Sequence, residues 1–161
     1  MKRVWQCLAA VSLMAVLRPA PLVAQASAAE SVAQMAVVNE LFDAMRAGDS
    51  ARVRAVFHPQ MTAMMSSAAG RDGVARVSLT PVDAFVKLIG TPHPEVFDER
   101  LFNPRVLIDG TLASVWVDYS FYLGKTFSHC GVDIFHLAKV GEAWRIIALS
   151  DTRRSTGCTK S

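Results

Sequence analysis

The chain is predicted to form an α+β domain, and two observations support this. Its last third, from Asn103 to Arg154, consists of runs rich in Val, Ile, Phe, Tyr and Trp, which is typical of β-strands. Before it, apolar residues recur at helical spacing in three short segments. Segregated helices and strands of this kind indicate helices packed on one face of an antiparallel sheet.

Three helices are expected, and each begins or ends at a recognisable residue. Ser31 with Gln34 fits a capping box at the start of the first helix, and Gly48 is a plausible end for it. Asp49 can cap a short second helix. Thr80-Pro81 predicts the start of the third, with Thr80 as the cap and the proline in the first helical position.

The predicted strands form a pair at about residues 61–67 and 74–79, followed by a four-stranded meander. A long strand, broken or bulged at Asn103-Pro104, opens the meander. Two-residue turns then join its strands. These turns pair Ile108 with Thr111, Leu123 with Thr126, and Val140 with Ala143.

The turns also predict which side chains share a face of the meander, because side chains alternate along a strand. One face is apolar and carries Val106, Ile108, Val115, Val117, Tyr119, Phe121, Val132, Ile134, Ile147 and Leu149. The other face mixes aromatic and ionisable side chains: Trp116, Asp118, Ser120, Tyr122, His129, Asp133 and Phe135. A face of the second kind is either solvated or lines a cavity.

The N-terminus has the layout of a secretory signal peptide. Met1-Lys2-Arg3 is basic, residues 4–17 are mostly apolar, and Ala26-Ser27-Ala28 offers small residues for cleavage. An uncleaved anchor is the alternative, but the apolar run is short for a membrane span and contains Gln6. We therefore expect a signal peptide over residues 1–28 and a domain over residues 29–161. That domain would be secreted or periplasmic, without stable membrane insertion.

Charge excludes one class of function. The chain has 17 basic and 14 acidic residues, for a net charge of +3. Loss of the signal peptide removes Lys2, Arg3 and Arg18 and no acid, which leaves 14 basic and 14 acidic residues. A neutral domain without a basic stripe is not expected to bind nucleic acid.

The cysteines agree with export. Cys7 leaves with the signal peptide, so Cys130 and Cys158 remain as an even pair in an oxidising compartment. A disulfide is favoured over two unrelated thiols. No metal or cofactor is expected, since there is no C-x-x-C motif, and His129 and Asp133 on one strand lie about 13 Å apart.

Three ionisable residues of the mixed face are candidates for catalysis. In the register set by the turns, Asp118 lies opposite Gly131, with His129 and Asp133 at the two diagonal positions. Such neighbours are about 7–8 Å apart at the backbone, within reach of side chains. An Asp–His contact there could orient and charge the imidazole for proton transfer.

Apolar residues around these three would form the wall of a ligand pocket. Trp116, Tyr122 and Phe135 share the mixed face, and His58 before Pro59 could point into the mouth of the pocket. If the mixed face points outward instead, the same residues form a solvated surface or a dimer contact, and the Asp118–His129 pair is worth little.

Two segments resemble nuclear-transport-factor-2-like (NTF2-like) domains. Residues 41–59, with the stretches LFDAM, GD and VFHP, are similar to the opening of such domains, and residues 129–154 are similar to their closing hairpin. The nearest branch is the SnoaL-like and putative lumazine-binding one. The resemblance implies a cone, in which a curved antiparallel sheet packs against about three helices around a pocket, often in a homodimer.

The resemblance also bears on activity. Ketosteroid isomerases of this fold use a protonated acid on a late strand, a position that Asp133 resembles, together with a carboxylate base near the first strand. Residues 61–67 contain no acid, so isomerase activity is not expected. The expected function is binding of a small, largely apolar ligand between sheet and helices. A dehydratase-type enzyme using Asp118 and His129, and a non-catalytic dimerisation module, are the alternatives.

Overall fold

The computed structural model describes residues 27–159, which form three helices and six strands in the predicted order. The expected signal peptide falls almost wholly on residues 1–26, which lie outside the described residues. Within residues 27–159, no helix combines the length and apolar character that crossing a membrane requires. The elements are α1 Val32–Ala47, α2 Ser50–Val56, β1 Ala63–Ala69, β2 Ala75–Pro81, α3 Val82–Gly90, β3 Phe97–Asp109, β4 Leu112–Leu123, β5 Thr126–Val140 and β6 Ala143–Arg153.

All six strands belong to one curved sheet with the order β2-β1-β6-β5-β4-β3. The pairing of β1 with β6 is parallel and every other pairing is antiparallel. The predicted meander is therefore confirmed as β3 to β6, and the α+β class is confirmed with it. The bulge expected at Asn103-Pro104 is also present, because the β3–β4 register shifts between Phe102 and Arg105 and Asn103 has a φ of 53°.

Local sequence explains most helix ends. Gly48 ends α1 with a φ of 68°, and Asp49 caps α2 by accepting a hydrogen bond from the Arg52 backbone N–H at 3.0 Å. The predicted Ser31 cap is wrong, since the Ser31 side chain makes no cap hydrogen bond and Gln34 is buried. The Thr80 cap is also wrong, because Thr80 continues β2 and pairs with Met64.

The hydrophobic core lies between the helices and the inner face of the sheet. Phe42 of α1 packs edge-to-face against Phe135 of β5, with ring centroids 6.1 Å apart. Other fully buried members of this core come from both layers: Val38, Leu41, Val53 and Ile89 from the helices, and Val115, Val117, Leu137 and Ile146 from the sheet.

A single extra residue in β5 changes the predicted faces. Leu123 pairs with Thr126 as expected, and Tyr122 pairs with Phe127, but Phe121 pairs with His129. Ser128 is therefore a β-bulge, and it reverses the orientation of every β5 side chain that follows. The inner face of β5 consequently carries His129, Gly131, Asp133 and Phe135, beside Val115, Val117, Tyr119 and Phe121 of β4.

The predicted Cys130–Cys158 disulfide is present, with the two Cα atoms 5.8 Å apart. It fixes the C-terminal segment against β5. Arg154 exchanges two backbone hydrogen bonds of 2.9 Å with Cys130, and the Ser120 hydroxyl donates to the Thr159 carbonyl at 2.6 Å. The end of β6 is thereby held next to the middle of β5.

Candidate functional site

A cavity of about 390 Å³ lies between the inner face of the sheet, α1 and α3. This volume is in the range of small-molecule pockets. Most of its wall is apolar, and the apolar side chains come from four strands of the sheet and two helices. The principal apolar residues are Met45, Met64, Met65, Phe85, Leu88, Ile89, Phe97, Phe121, Leu123 and Leu149.

Polar side chains from four adjacent strands meet on the sheet side of this cavity. We call them the polar cluster: Glu99 of β3, Tyr119 of β4, His129 and Asp133 of β5, and Asp151 and Arg153 of β6. The register brings them together, since Asp133 pairs with Asp151 across β5–β6, and Phe121 pairs with both Glu99 and His129. A sheet twisted around a cavity thus gathers residues that are far apart in sequence.

Gly131 makes this arrangement possible. It lies opposite Tyr119, and a Cβ at Gly131 would come within 2.7 Å of the Tyr119 ring and overlap the Thr152 carbonyl oxygen. The space is instead used by a hydrogen bond of 3.0 Å from the Tyr119 hydroxyl to the Thr152 carbonyl. Burial raises the pKa of Tyr119, and the neighbouring carboxylates raise it further, so the phenol stays protonated.

One ion pair lies within the polar cluster. The Arg153 Nε donates to Asp151 Oδ2 at 2.8 Å. Burial alone would lower the pKa of Arg153. The hydrogen bond to Asp151 and the nearby negative groups have the larger effect, so the pKa of Arg153 is raised. The positive charge of Arg153 is therefore largely balanced by Asp151.

Glu99 and Asp133 form a carboxyl pair. Asp133 is 4% exposed, its carboxyl interacts with that of Glu99, and its Oδ2 atom is buried without a hydrogen-bond partner in residues 27–159. Burial raises the pKa of Asp133 well above its ordinary value, and the charge of Glu99 adds to this. Burial also raises the pKa of Glu99 to about 7. Two carboxyls in this setting share a proton, because they cannot both ionise at low cost.

His129 lines the same cavity as the carboxyl pair and is a neutral base. Burial lowers its pKa, and the charge of Arg153 lowers it further. Its ring contacts Tyr119 and Phe121, with centroid distances of 5.7 Å and 5.0 Å, and its Nδ1 lies 3.0 Å from the Ser128 hydroxyl. At neutral pH the site thus combines an uncharged imidazole with a partly protonated carboxyl pair.

The structure brings two of the three catalytic candidates together and separates the third. His129 and Asp133 both line the cavity. Asp118 lies on the opposite face of the sheet, where its Oδ2 accepts a hydrogen bond of 3.1 Å from Asn103. The predicted shared cavity of Asp118, His129 and Asp133 is therefore wrong, and the cause is the bulge at Ser128.

The predicted ligand-wall residues do not line the cavity. Trp116 and Tyr122 share the outer face with Asp118; Trp116 is 39% exposed beneath Arg105, and Tyr122 is covered by Phe127. Their placement is wrong for the same reason, since β4 keeps the predicted alternation while β5 reverses.

The other two predicted wall residues lie inside the fold but away from the cavity. Phe135 is on the inner face, where it packs in the core against Phe42. His58 follows α2, where its backbone N–H donates to Ile146 at 2.8 Å and its Nδ1 accepts from Gln60 at 3.2 Å. Both residues stabilise the fold around the site.

Sequence reasoning missed Glu99, Tyr119, Asp151 and Arg153. Glu99 carried a usable signal, because Phe97, Glu99 and Leu101 alternate along the start of β3 and place one acid between two apolar side chains of the same face.

Within residues 27–159, no group of three or more His, Cys, Asp or Glu residues is arranged to hold a metal ion.

The fold and its cavity define the chain as an NTF2-like protein, as the sequence resemblance predicted. An NTF2-like protein of unknown function from Shewanella baltica is 21% identical, with a TM-score of 0.58 over 78% of this chain and 94% of that one. Another, from Silicibacter pomeroyi, is 17% identical, with a TM-score of 0.56 over 80% of this chain and 100% of that one. An NTF2-like protein with a cystatin-like fold from Novosphingobium aromaticivorans is 10% identical, with a TM-score of 0.59 over 78% and 82%.

The family can be stated more narrowly. Residues 29–150 match the model of the putative lumazine-binding family, so the chain belongs to that family. No curated protein matches the chain significantly. The structural likenesses show the fold alone, and the function has to be argued from the cavity.

Proposed function

We propose that this protein binds a small, largely apolar ligand in the cavity between the sheet and α3. The observation that carries the proposal is the cavity itself: about 390 Å³, walled mainly by Met, Phe and Leu side chains and bordered on one side by the polar cluster. Ligand sites of this kind use the apolar wall for affinity and a few polar groups for orientation.

The family description adds one candidate ligand. Lumazine is a flat bicyclic heterocycle, and Phe97 and Phe121 present aromatic rings to the cavity with their centroids 6.0 Å apart. Flat rings pack well against such walls. Lumazine is therefore the first named compound to test, beside a neutral apolar probe.

The proposal is tested with a fluorescent apolar probe, N-phenyl-1-naphthylamine, and with lumazine, titrated into the domain. Ser66 lines the cavity, so Ser66→Phe should fill it and reduce probe affinity at least tenfold. Ser114→Phe is the matched control, because Ser114 pairs with Leu107 and His136 away from this cavity. Equal loss in both variants, or probe binding that Ser66→Phe leaves unchanged, would contradict the proposal.

Proton transfer is a second candidate function, and the neutral His129 in the same cavity as the carboxyl pair favours it. A base and a protonated acid in one apolar cavity are the groups that general acid–base catalysis requires. The Asp118–His129 pair expected from the sequence is replaced here by His129 with Asp133 and Glu99. The assay is exchange of the acidic C–H protons of 4-phenyl-2-butanone in D₂O, followed by NMR. No acceleration over buffer, or equal acceleration by His129→Ala, would exclude this function for that ligand class.

We also propose that the domain acts after export, in a secreted or periplasmic location. The Cys130–Cys158 disulfide supports this, because disulfides persist mainly in oxidising compartments. Fractionation of cells producing the chain from its own start codon tests the location. Recovery of the full-length chain with its two cysteines reduced, from the cytoplasm alone, would contradict it.

A homodimer through the sheet is proposed on a separate observation. Val77 and Leu79 are each 67% exposed on β2, at the edge of the sheet. Apolar groups exposed together favour an interface between copies. Sedimentation of the wild type and of Leu79→Asp tests it: a dimer that becomes a monomer supports the proposal, and a wild-type monomer at micromolar concentration contradicts it.

A further inference from the structure

Resting on the proposed ligand-binding function, we infer that the cavity selects organic cations: ligands with an apolar body and a protonated amine or amidinium group, which the carboxyl groups of Glu99 and Asp133 hold. The inference adds a charge and a donor group to a ligand that the proposed function describes only as small and largely apolar.

The charge balance of the polar cluster supports this class of ligand. It contains three carboxyl groups and one cation, and Arg153 is already hydrogen-bonded to Asp151. No salt bridge found within residues 27–159 involves Glu99 or Asp133. The carboxyl pair therefore leaves an uncompensated negative charge beside an apolar cavity, where a bound cation is attracted more strongly than in water.

The hydrogen-bond inventory indicates a donor on the ligand. Asp133 Oδ2 is buried and has no donor within the described part of the chain. An unsatisfied buried acceptor destabilises the folded chain, and a ligand that supplies an N–H removes this penalty. An ammonium or amidinium group can donate to Glu99 and Asp133 at once, and such charge-assisted hydrogen bonds are the stronger kind.

The apolar walls suit the same ligand. The rings of Phe97, Phe121 and Tyr119 border the cavity close to the carboxyl pair. Aromatic rings attract cations at their faces and accept the apolar body of the ligand at no polar cost. An anionic ligand would meet the same rings and the carboxyl pair with the opposite sign of interaction.

The inference fixes how binding depends on pH. The charged and titratable groups around the carboxyl pair are Tyr119 on β4, His129 on β5, and Asp151 and Arg153 on β6; the cavity-lining residues of α1, α3, β1 and β2 are Met, Phe, Leu, Ile, Ser and Thr. A cation between Glu99 and Asp133 displaces the proton that they share. Amine affinity should therefore rise between pH 5.5 and pH 7.5, with release of close to one proton per ligand.

Three probes with one apolar body test the inference: 4-phenylbutylamine, 4-phenylbutanol and 4-phenylbutyrate, titrated calorimetrically into the disulfide-bonded domain at pH 7.5. The amine should bind at least tenfold more tightly than the alcohol, and the carboxylate more weakly than both. Repeating the amine titration in phosphate and in Tris buffer measures the released proton from the difference in heat.

Two variants test whether the preference for the amine comes from the charge of the carboxyl pair or from the shape of the cavity. Glu99→Gln and Asp133→Asn are nearly isosteric and should reduce the preference for the amine over the alcohol to less than threefold, while alcohol affinity changes by less than threefold. Glu142→Gln is the matched control, because Glu142 is 99% exposed on the turn before β6 and should keep the full preference. If Asp133→Asn does not fold, Glu99→Gln alone decides.

The outcomes distinguish this inference from the proposed function. Equal binding of amine and alcohol would overturn the inference and leave the proposed function standing. An amine preference that survives Glu99→Gln, or amine binding without proton release, would overturn the inference as well. Failure of all three probes to bind would overturn both.

Discussion

The carboxyl pair predicts that Glu99→Gln changes how stability depends on pH. A carboxyl whose pKa is higher in the folded than in the unfolded chain binds more protons when folded, so the free energy of unfolding falls as pH rises between the two values. For Glu99 the interval runs from 4.5 to about 7. At about 1.4 kcal/mol per pKa unit this is about 3 kcal/mol. Replacement by glutamine removes this titration.

The assay is urea unfolding of the wild type, Glu99→Gln and Glu142→Gln between pH 4.5 and pH 7.5, with the disulfide intact. Relative to Glu99→Gln, the wild type should lose about 2–3 kcal/mol over this range, since the folded chain retains at Glu99 a proton that the unfolded chain has already released. The control should parallel the wild type. Parallel curves for the wild type and Glu99→Gln would refute the reasoning, because Glu99 would then titrate alike in the folded and unfolded chains.

Three further predictions concern the stability of the fold and the processing of the N-terminus. Gly131→Ala should lower the free energy of unfolding by at least about 2 kcal/mol, because the added Cβ would overlap the Thr152 carbonyl. Urea unfolding measures this change. A loss under about 0.5 kcal/mol would contradict the prediction, because β6 would then move aside at little cost. Replacing both Cys130 and Cys158 with serine should lower the free energy of unfolding by about 3–4 kcal/mol, because the disulfide closes a loop of 28 residues. The measurement is again urea unfolding, under oxidising conditions. An unchanged stability would mean that the C-terminal segment is held in place without the disulfide. Intact-mass analysis of the exported protein should show the loss of residues 1–28, and a retained Met1 on exported protein would contradict the predicted cleavage near Ala28.

Several features of the fold are determined by residues close together in the sequence. Helix ends at Gly48 and Asp49, the bulge at Asn103-Pro104 and the turn that pairs Leu123 with Thr126 follow from backbone preferences of the residues involved, and these predictions are confirmed. The disulfide is confirmed as well. Each of these features depends on a few neighbouring residues or on the parity of the cysteine count.

The site depends on a feature without a local signal. The bulge at Ser128 adds one residue to β5, and no glycine or proline marks it. Because side chains alternate, that one residue moves His129 and Asp133 to the inner face and leaves Asp118 on the outer one. The faces of β3 and β4 were predicted well, whereas the combination of faces across β4 and β5 was not.

The pairing of Glu99 with Asp133 could not be predicted from the sequence for a different reason. Its partner Asp133 lies 34 positions away in the chain, and the pair exists only because β3 and β5 flank β4 in the sheet. A single acid among apolar residues in β3 could have been noted from the sequence. Its interaction with Asp133 required the sheet order and the bulge in β5.

The methionines provide the most direct measurement of the central claim, which is that a ligand binds between the sheet and α3. Met45, Met64 and Met65 line the cavity, whereas Met35 and Met61 belong to the packing around it. With ¹³C-methyl methionine, titration of N-phenyl-1-naphthylamine should shift the methyl signals of the first three and leave those of Met35 and Met61 nearly unchanged. Shifts confined to Met35 and Met61, or none in Met45 and Met64 at saturating probe, would contradict the account.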